Sequence, residues 1–198
     1  MMSLSRRHLM LTGAAGAALV TTPARAADGR LLFDIYREDQ RVGTHEVRMH
    51  KNGERIETDI DIDIQVKLAF VTVYRYKHTN REVYEGDRLL QMSSRTNNNG
   101  DKLAVDVQRN GDELVIDGVN GQVRAPGDLF PTTYWQPRSV KREAWIDSQN
   151  GKVVESTVRK VGMDRIRYEG RTIECRRYAL RGELDCDLWY GPEGWAKL

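Results

Sequence analysis

The chain has 198 residues, with 31 lysines and arginines against 29 aspartates and glutamates, so its formal charge is only +2. Three of the arginines lie within the first 26 residues, which leaves 28 basic and 29 acidic groups in the rest. This balance leaves no basic field for binding nucleic acid. The residues after the first 26 are numerous enough for one domain with a substantial hydrophobic core.

The first 26 residues have the order of an export signal. Arg6 and Arg7 begin it, an apolar run follows, and Ala24 and Ala26 frame a cleavage site of small residues. The paired arginines indicate the twin-arginine route to the periplasm. The apolar run of about 12 residues is shorter than the roughly 20 that span a bilayer, so cleavage is favoured over an uncleaved anchor. We therefore expect a periplasmic protein in which residues 27–198 form one domain without a transmembrane segment.

The first strands are predicted between Leu31 and His50, where a polar turn separates two runs of alternating apolar residues. Asn52-Gly53 then predicts a hairpin turn, because Asn and Gly readily take the positive φ angles that a tight turn needs. The strongest signal follows in residues 56–68, where apolar or β-branched residues alternate with acidic and polar ones. This run predicts a long antiparallel strand with one buried and one solvated face, since only extended backbone separates alternate residues in this way.

The alternation is lost at residues 68–71, where we predict a bend or bulge before a second long strand that ends at Tyr84. The even face of that strand carries Tyr74, Tyr76, His78, Glu82 and Tyr84. Shorter strands separated by Gly, Asn and Asp continue along the chain, which is typical of an antiparallel meander. Because long strands twist and coil, the predicted fold is all-β, with the meander curled into a half-barrel or open barrel.

Residues 126–140 interrupt this rhythm with three prolines and several large side chains. The large side chains are Leu129, Phe130, Tyr134 and Trp135. Proline is tolerated in the first turn of a helix, so a short helix is predicted over residues 128–135. Leaving the large side chains exposed would forfeit roughly 1.5–3 kcal/mol each. We therefore expect a short helix or cover segment near residues 127–140 that lies over the sheet.

Several segments of the chain carry a family resemblance. They are Gly43-Thr44-His45, Phe70-Val71-Thr72-Val73-Tyr74-Arg75-Tyr76, Arg81-Glu82-Val83-Tyr84, Thr132-Thr133-Tyr134-Trp135 and Leu188-Trp189-Tyr190. Together they resemble an uncharacterised family of exported bacterial all-β proteins, a domain of unknown function. The resemblance covers most of the chain after the signal, implies a curved β-sheet outside the cytoplasm, and carries no catalytic signature. Proteins of that family continue past the Trp195 region with another strand, so we expect a missing edge strand and unpaired backbone here.

The histidines and acidic residues after the signal give no metal signature. His45, His50 and His78 lack the dense spacing of zinc ligands. The alternating aspartates of residues 59–63 indicate a solvated strand face, because a calcium loop needs turn glycine and carbonyl ligands. Nucleotide-binding and nucleophile motifs are also missing from the sequence. We therefore expect no metal and no cofactor.

Cys175 and Cys186 are the only cysteines, and an exported chain could oxidise them to a disulfide. If Gly182 centres a three-residue turn, the two side chains point to opposite faces of the sheet, which disfavours the bond. A β-bulge between them would restore the match, so both states stay open.

The aromatic residues form the best candidate site. A curved sheet under a cover segment can enclose a pocket for an apolar or amphipathic ligand, which Tyr hydroxyls and His78 would orient. The predicted ligand-binding residues are Tyr74, Tyr76, His78, Glu82, Tyr84, Tyr134 and Trp135. Aromatic residues at period two also form ordinary cores, which is the alternative interpretation.

Three functions are compatible with these patterns, and the first is favoured. It is a non-enzymatic periplasmic protein that binds a lipid-like or other hydrophobic molecule, or an envelope protein, in the hollow of the sheet. The second is a periplasmic hydrolase or isomerase that uses His78, Glu82 and a tyrosine in the same hollow. The third is an envelope assembly protein that pairs through an open sheet edge. The sequence assigns no catalytic residue.

Overall fold

The computed structural model describes residues 28–168 and 170–198, so the predicted export signal at residues 1–26 lies outside the described residues. Eight strands form one antiparallel meander in which each strand pairs with its neighbours in sequence. They are β1 (Asp28–Arg37), β2 (Gln40–Asn52), β3 (Arg55–Leu68), β4 (Val71–Glu85), β5 (Arg88–Asn98), β6 (Asp101–Asn110), β7 (Glu113–Gly118) and β8 (Gly121–Pro126).

A second sheet of six strands follows in the chain, in the spatial order β14-β13-β12-β11-β10-β9. Its strands are β9 (Phe130–Pro131), β10 (Ala144–Ile146), β11 (Val153–Tyr168), β12 (Arg171–Gly182), β13 (Cys186–Gly191) and β14 (Gly194–Lys197). Only the short pair β9–β10 is parallel among these strands. Neither sheet closes on itself over the described ranges, so the prediction of an all-β fold with an open, curved antiparallel sheet is confirmed.

The hydrophobic core lies between the inner face of the first sheet and the second sheet. Trp195 of β14 contacts Phe33 of β1, with ring centroids 4.7 Å apart, and also His45 of β2 at 5.2 Å. Farther across the same face of the sheet, the Phe130 ring of β9 stacks on the Tyr84 ring of β4, with centroids 6.4 Å apart. The second sheet therefore covers the first from β1 to β4, which places the face of the predicted site in the interior.

The predicted alternation of β3 is present in the structure. Ile60 is only 2% exposed, whereas Asp59 and Asp61 remain partly exposed on the outer face. Asp59 pairs in register with Arg48 of β2 and Arg81 of β4, so the acidic outer face is balanced by cations on both neighbouring strands. Opposite charges across strands stabilise a sheet and help to fix its register.

The segment between β8 and β10 covers the sheet as predicted, but the helix predicted at residues 128–135 is misplaced. Phe130 and Pro131 instead form β9 beside Trp145 and Ile146, and a 3-10 helix occupies Pro137–Lys141. Pairing with β10 satisfies backbone groups that a helix would have satisfied locally, so a tertiary contact overrides the local pattern. In the described part of the chain, no helix has the length and apolar character needed to cross a membrane.

Candidate functional site

The inner face of β4 carries a row of buried polar and aromatic side chains. The row consists of Tyr76, His78, Asn80, Glu82 and Tyr84, none of which is more than 3% exposed. They share a face because alternate residues of a strand point the same way. The predicted grouping of the even-numbered residues of this strand is therefore present, but the row is covered by the second sheet.

Glu82 is the most highly connected member of this row. The Asn80 side-chain amide donates to Oε1 at 2.8 Å, and Tyr84 Oη and Trp135 Nε1 donate to Oε2 at 3.0 and 2.8 Å. The Thr133 side chain supplies a further hydrogen bond. No cation is among these partners, and complete burial raises the pKa of the Glu82 carboxyl above its ordinary value.

Asn80 Oδ1 is a buried acceptor that has no partner within the described residues. Because the two ends of an amide are assigned from hydrogen bonding, rotation of this amide would turn Oδ1 towards Oε1 of Glu82. A protonated Oε1 could then donate to Oδ1, while the amide nitrogen would take the position that Oδ1 occupies here. The raised pKa of Glu82 and the orphaned acceptor are thus consistent with a neutral carboxyl at this position.

His78 lies two positions before Asn80 and is held by Thr96, whose hydroxyl is 2.8 Å from Nδ1. Its ring stacks with Tyr76 at a centroid distance of 6.3 Å. Burial lowers the pKa of His78 to about 4, so the ring is neutral at pH 7. His78 and Glu82 contact different partners, and both favour their uncharged forms. The geometry therefore does not join the two into a proton-transferring pair.

The other predicted site residues lie apart from one another. Trp135 contacts the Tyr84 ring edge-on at a centroid distance of 5.5 Å, so it lies beside Glu82 and Tyr84. Tyr134 packs near Trp195 at 6.3 Å, and its backbone carbonyl accepts a hydrogen bond from Tyr190 Oη at 2.7 Å. Tyr74 is partly exposed, and its hydroxyl donates to Asn98 at 2.8 Å. Whether any of the seven predicted residues binds a ligand stays a prediction.

Cys175 and Cys186 are both free thiols in the structure, so the disulfide left open by the sequence is not formed. Cys186 pairs in register with Leu180 of β12, whereas Cys175 lies farther along that strand opposite Asp164 of β11. Burial raises the pKa of the Cys186 thiol to about 11, so it is protonated at neutral pH.

Within the described ranges, no group of three or more His, Cys, Asp or Glu residues is placed to hold a metal.

The tip of the β3–β4 hairpin has an exposed apolar surface that the sequence pattern did not predict. Leu68, Phe70, Val71 and Val73 are 73%, 99%, 66% and 51% exposed. Ala69 adopts a φ of +53° in the turn itself. The signal for this tip in the sequence is the loss of alternation at residues 68–71, which by itself predicts only a bend or bulge. An apolar turn of this kind extends beyond the part of β3 and β4 that the second sheet covers.

A second missed feature is an open cleft of about 630 Å³ between the β4–β5 turn, β6 and the segment around the 3-10 helix. Its cationic lining residues are Arg88, Arg109, Arg138, Lys141 and Arg142. These residues are scattered over more than 50 positions, so no local pattern in the sequence could have grouped them.

The fold and its surface features define an all-β, two-sheet protein with a covered polar row, an apolar hairpin tip and a basic cleft. The chain belongs to the family described as a domain of unknown function (DUF6134), whose model matches residues 33–198. The predicted membership of an uncharacterised family is therefore confirmed. No curated protein and no solved structure matches the chain significantly.

Proposed function

We propose that this protein is a non-enzymatic periplasmic protein that binds lipid through the tip of the β3–β4 hairpin. In this proposal residues 1–26 direct export by the twin-arginine route, and residues 27–198 act as a single domain outside the cytoplasm. The observation that carries the lipid-binding role is Phe70, whose side chain is 99% exposed at the end of the hairpin.

The exposed tip favours an apolar partner. Scattered exposed apolar residues are normal, but Leu68, Phe70, Val71 and Val73 are contiguous along one turn. Transfer of a side chain of this size from water to an apolar environment contributes roughly 1.5–3 kcal/mol when it is fully buried. A partner that covers all four side chains would therefore gain a substantial free energy of binding.

The charges beside the tip favour a lipid surface as that partner. Residues 67–77 contain Lys67, Arg75 and Lys77 and no acidic residue. All three cations are exposed. Basic residues next to an inserting apolar group are attracted to anionic headgroups, each contributing about 1 kcal/mol near the surface. Their long aliphatic stems also let the charge stay at the headgroup level while the tip enters the acyl region.

The proposed ligand site lies at the end of β4, outside the hollow in which the sequence predicted it. Of the residues predicted to bind a ligand, Tyr74 borders the exposed tip, because it follows Val73 and is itself partly exposed. The remaining six lie deeper, and Tyr76, His78, Glu82 and Tyr84 are nearly inaccessible. A ligand could reach those residues only if the second sheet or the cover segment moved away.

Co-sedimentation with vesicles tests the proposal on the chain without residues 1–26. We expect binding to vesicles that contain phosphatidylglycerol and weaker binding to phosphatidylcholine alone. The double substitution Leu68→Ser with Phe70→Ser is expected to remove most of the binding. A matched control is Val119→Ser with Val123→Ser, since these valines are also exposed but lie in the β7–β8 hairpin. Equal binding by both double variants, or no binding by the unaltered protein, would contradict the proposal.

Export has its own test, which does not depend on lipid binding. Arg6→Lys combined with Arg7→Lys is expected to keep the full-length protein in the cytoplasm of a bacterium with a working twin-arginine system. Periplasmic protein from this variant in undiminished amount would overturn the proposed route.

A further inference from the structure

The basic cleft at the β4–β5 turn is independent of the hairpin tip. The tip lies at the Val71 end of β4, and the cleft begins beyond Glu85 at the other end. A strand of this length spans roughly 50 Å at about 3.3 Å per residue. A ligand in the cleft would therefore not contact the tip on the same molecule.

Arg109 forms a fixed part of the cleft wall. Its Nε donates to the Leu89 carbonyl at 2.7 Å, its Nη1 donates to the Gly111 carbonyl at 3.2 Å, and its Nη2 donates to the Gly127 carbonyl. A guanidinium has five N–H donors, so one donor remains on each terminal nitrogen. The three carbonyls hold the group in place without neutralising its charge.

A second cation lies close to Arg109 in the cleft. Burial and then the nearby Arg88 guanidinium lower the pKa of Arg109, and Asp112 offsets part of this effect. Arg88 and Lys141 have no ion pair within the described ranges, although both line the cleft. Like charges that are gathered in one concave surface raise the local concentration of counter-ions of opposite sign.

The remaining two cations are paired with acids that also line the cleft. Arg138 forms an ion pair with Asp87, and Arg142 lies 3.5 Å from Asp128. Each of these side chains is at least 41% exposed. Ion pairs between exposed side chains contribute little free energy, about 0–1 kcal/mol, so a stronger anion can compete for the two arginines. Asp112 is the third acid of the lining, which leaves an excess of two positive charges.

We propose that this cleft binds a small molecule or headgroup that carries a phosphoryl group with two or more negative charges. Arg109 would donate its two remaining N–H groups to the phosphoryl oxygens, and Arg88 and Lys141 would neutralise the rest of the charge. Guanidinium groups suit this role because their planar donors match phosphate oxygens in charge-assisted, bidentate hydrogen bonds. The cleft volume of about 630 Å³ leaves room for more than the phosphoryl group itself.

Titration calorimetry with pyrophosphate at low ionic strength tests this site. The double reversal Arg88→Glu with Lys141→Glu is expected to weaken binding by at least about tenfold. The matched control is Arg159→Glu with Lys160→Glu, which reverses two exposed cations on β11 and is expected to bind as the unaltered protein does. Circular dichroism of both variants verifies that they fold. No heat of binding with the unaltered protein, or equal weakening in both double variants, would overturn the proposal.

The source of the phosphoryl group is distinguished in a second arm that uses the Leu68→Ser and Phe70→Ser variant. If this variant still binds phosphatidic acid vesicles, and binding is lost when Arg88 and Lys141 are also reversed, the cleft takes a lipid headgroup. If it binds pyrophosphate but not these vesicles, the cleft takes a soluble phosphorylated molecule. Both results support the site, whereas vesicle and pyrophosphate binding that are both insensitive to the reversal would exclude it. A failure of the hairpin tip to bind vesicles would contradict the proposed function of the tip, but it would not affect the proposed phosphoryl site in the cleft.

Discussion

Trp135 donates its indole N–H to Oε2 of Glu82 over 2.8 Å, although the two residues lie 53 positions apart in the chain. This hydrogen bond joins the cover segment to β4, in the middle of the interior. Both residues are almost completely buried, with Glu82 at 0% and Trp135 at 8% exposure. Water cannot reach the Glu82 carboxyl, so this hydrogen bond supplies a donor to the carboxyl and also holds the cover segment against β4.

Replacing Trp135 with phenylalanine is expected to destabilise the protein. The substitution removes the N–H and leaves one oxygen of a buried carboxyl with fewer donors, which costs about 1–3 kcal/mol in the free energy of unfolding. The matched control is Trp189→Phe, because Trp189 donates at 2.9 Å to Asp164, which is partly exposed to water. Urea unfolding measures both. A cost for Trp135→Phe no greater than that for Trp189→Phe would show that the Glu82 bond contributes little.

Replacing Glu82 with glutamine tests whether the carboxyl is neutral. A glutamine of the same shape keeps an oxygen for Tyr84 and Trp135 and places an amide donor towards Asn80. Oδ1 of Asn80 can accept from that donor once its own amide rotates, and the Asn80 nitrogen then takes the unpartnered position, so the number of unpartnered atoms stays the same. We therefore expect a change of less than about 1 kcal/mol in the free energy of unfolding near neutral pH. A loss of several kcal/mol would mean that the ionised carboxylate is needed.

The two buried histidines make the stability of the protein depend on pH. Burial lowers the pKa of His45 to about 3, with a smaller contribution from His78, and lowers that of His78 to about 4, against 6.5 for an ordinary histidine. Between these values and 6.5 the unfolded chain binds more protons than the folded one. The stability that the two neutral rings contribute is therefore fully present above pH 6.5 and is lost as the pH falls towards 4. Glu82 and Asp147 act in the opposite sense, because burial raises the pKa of each carboxyl and lets the folded state hold protons that the unfolded chain releases.

Removing the His78 ring separates its contribution from these opposing effects. Urea unfolding at about pH 5 and at about pH 7.5 compares the unaltered protein with the His78→Gln variant. The change in the free energy of unfolding between the two pH values is expected to be less favourable in the unaltered protein by about 2 kcal/mol, because its unfolded chain protonates His78 in this range and its folded state does not. The same pH dependence in both proteins would contradict the buried, neutral state of this ring.

Local periodicity accounts for the parts of this structure that could be predicted. The alternation in β3 and the even-numbered residues of β4 define two strands and their inner faces, because a period of two depends only on neighbouring residues. The turn at Gly53 follows from the same local rules, and its φ is +63° in the structure. The family resemblance also predicted the all-β fold class, but it did not predict any functional-site residue.

The burial of the predicted site could not be deduced from the sequence. It depends on Trp195 reaching His45 and on Phe130 reaching Tyr84, contacts that join residues far apart in the chain. The same contacts replace the predicted helix at residues 128–135 with β9. The basic cleft escaped prediction for a similar reason, because the segment that carries Arg138, Lys141 and Arg142 reaches Arg88 and Arg109 only in the folded protein.

Tryptophan fluorescence of a Phe70→Trp variant tests the proposed lipid contact most directly. The four native tryptophans are at most 9% exposed, so a tryptophan at position 70 would add a separate, water-exposed component to the emission. On vesicles containing phosphatidylglycerol we expect this added component to shift to shorter wavelength and to be quenched by brominated acyl chains. Emission at position 70 that stays at its aqueous wavelength, without quenching, on vesicles that have bound the protein would contradict insertion of the hairpin tip.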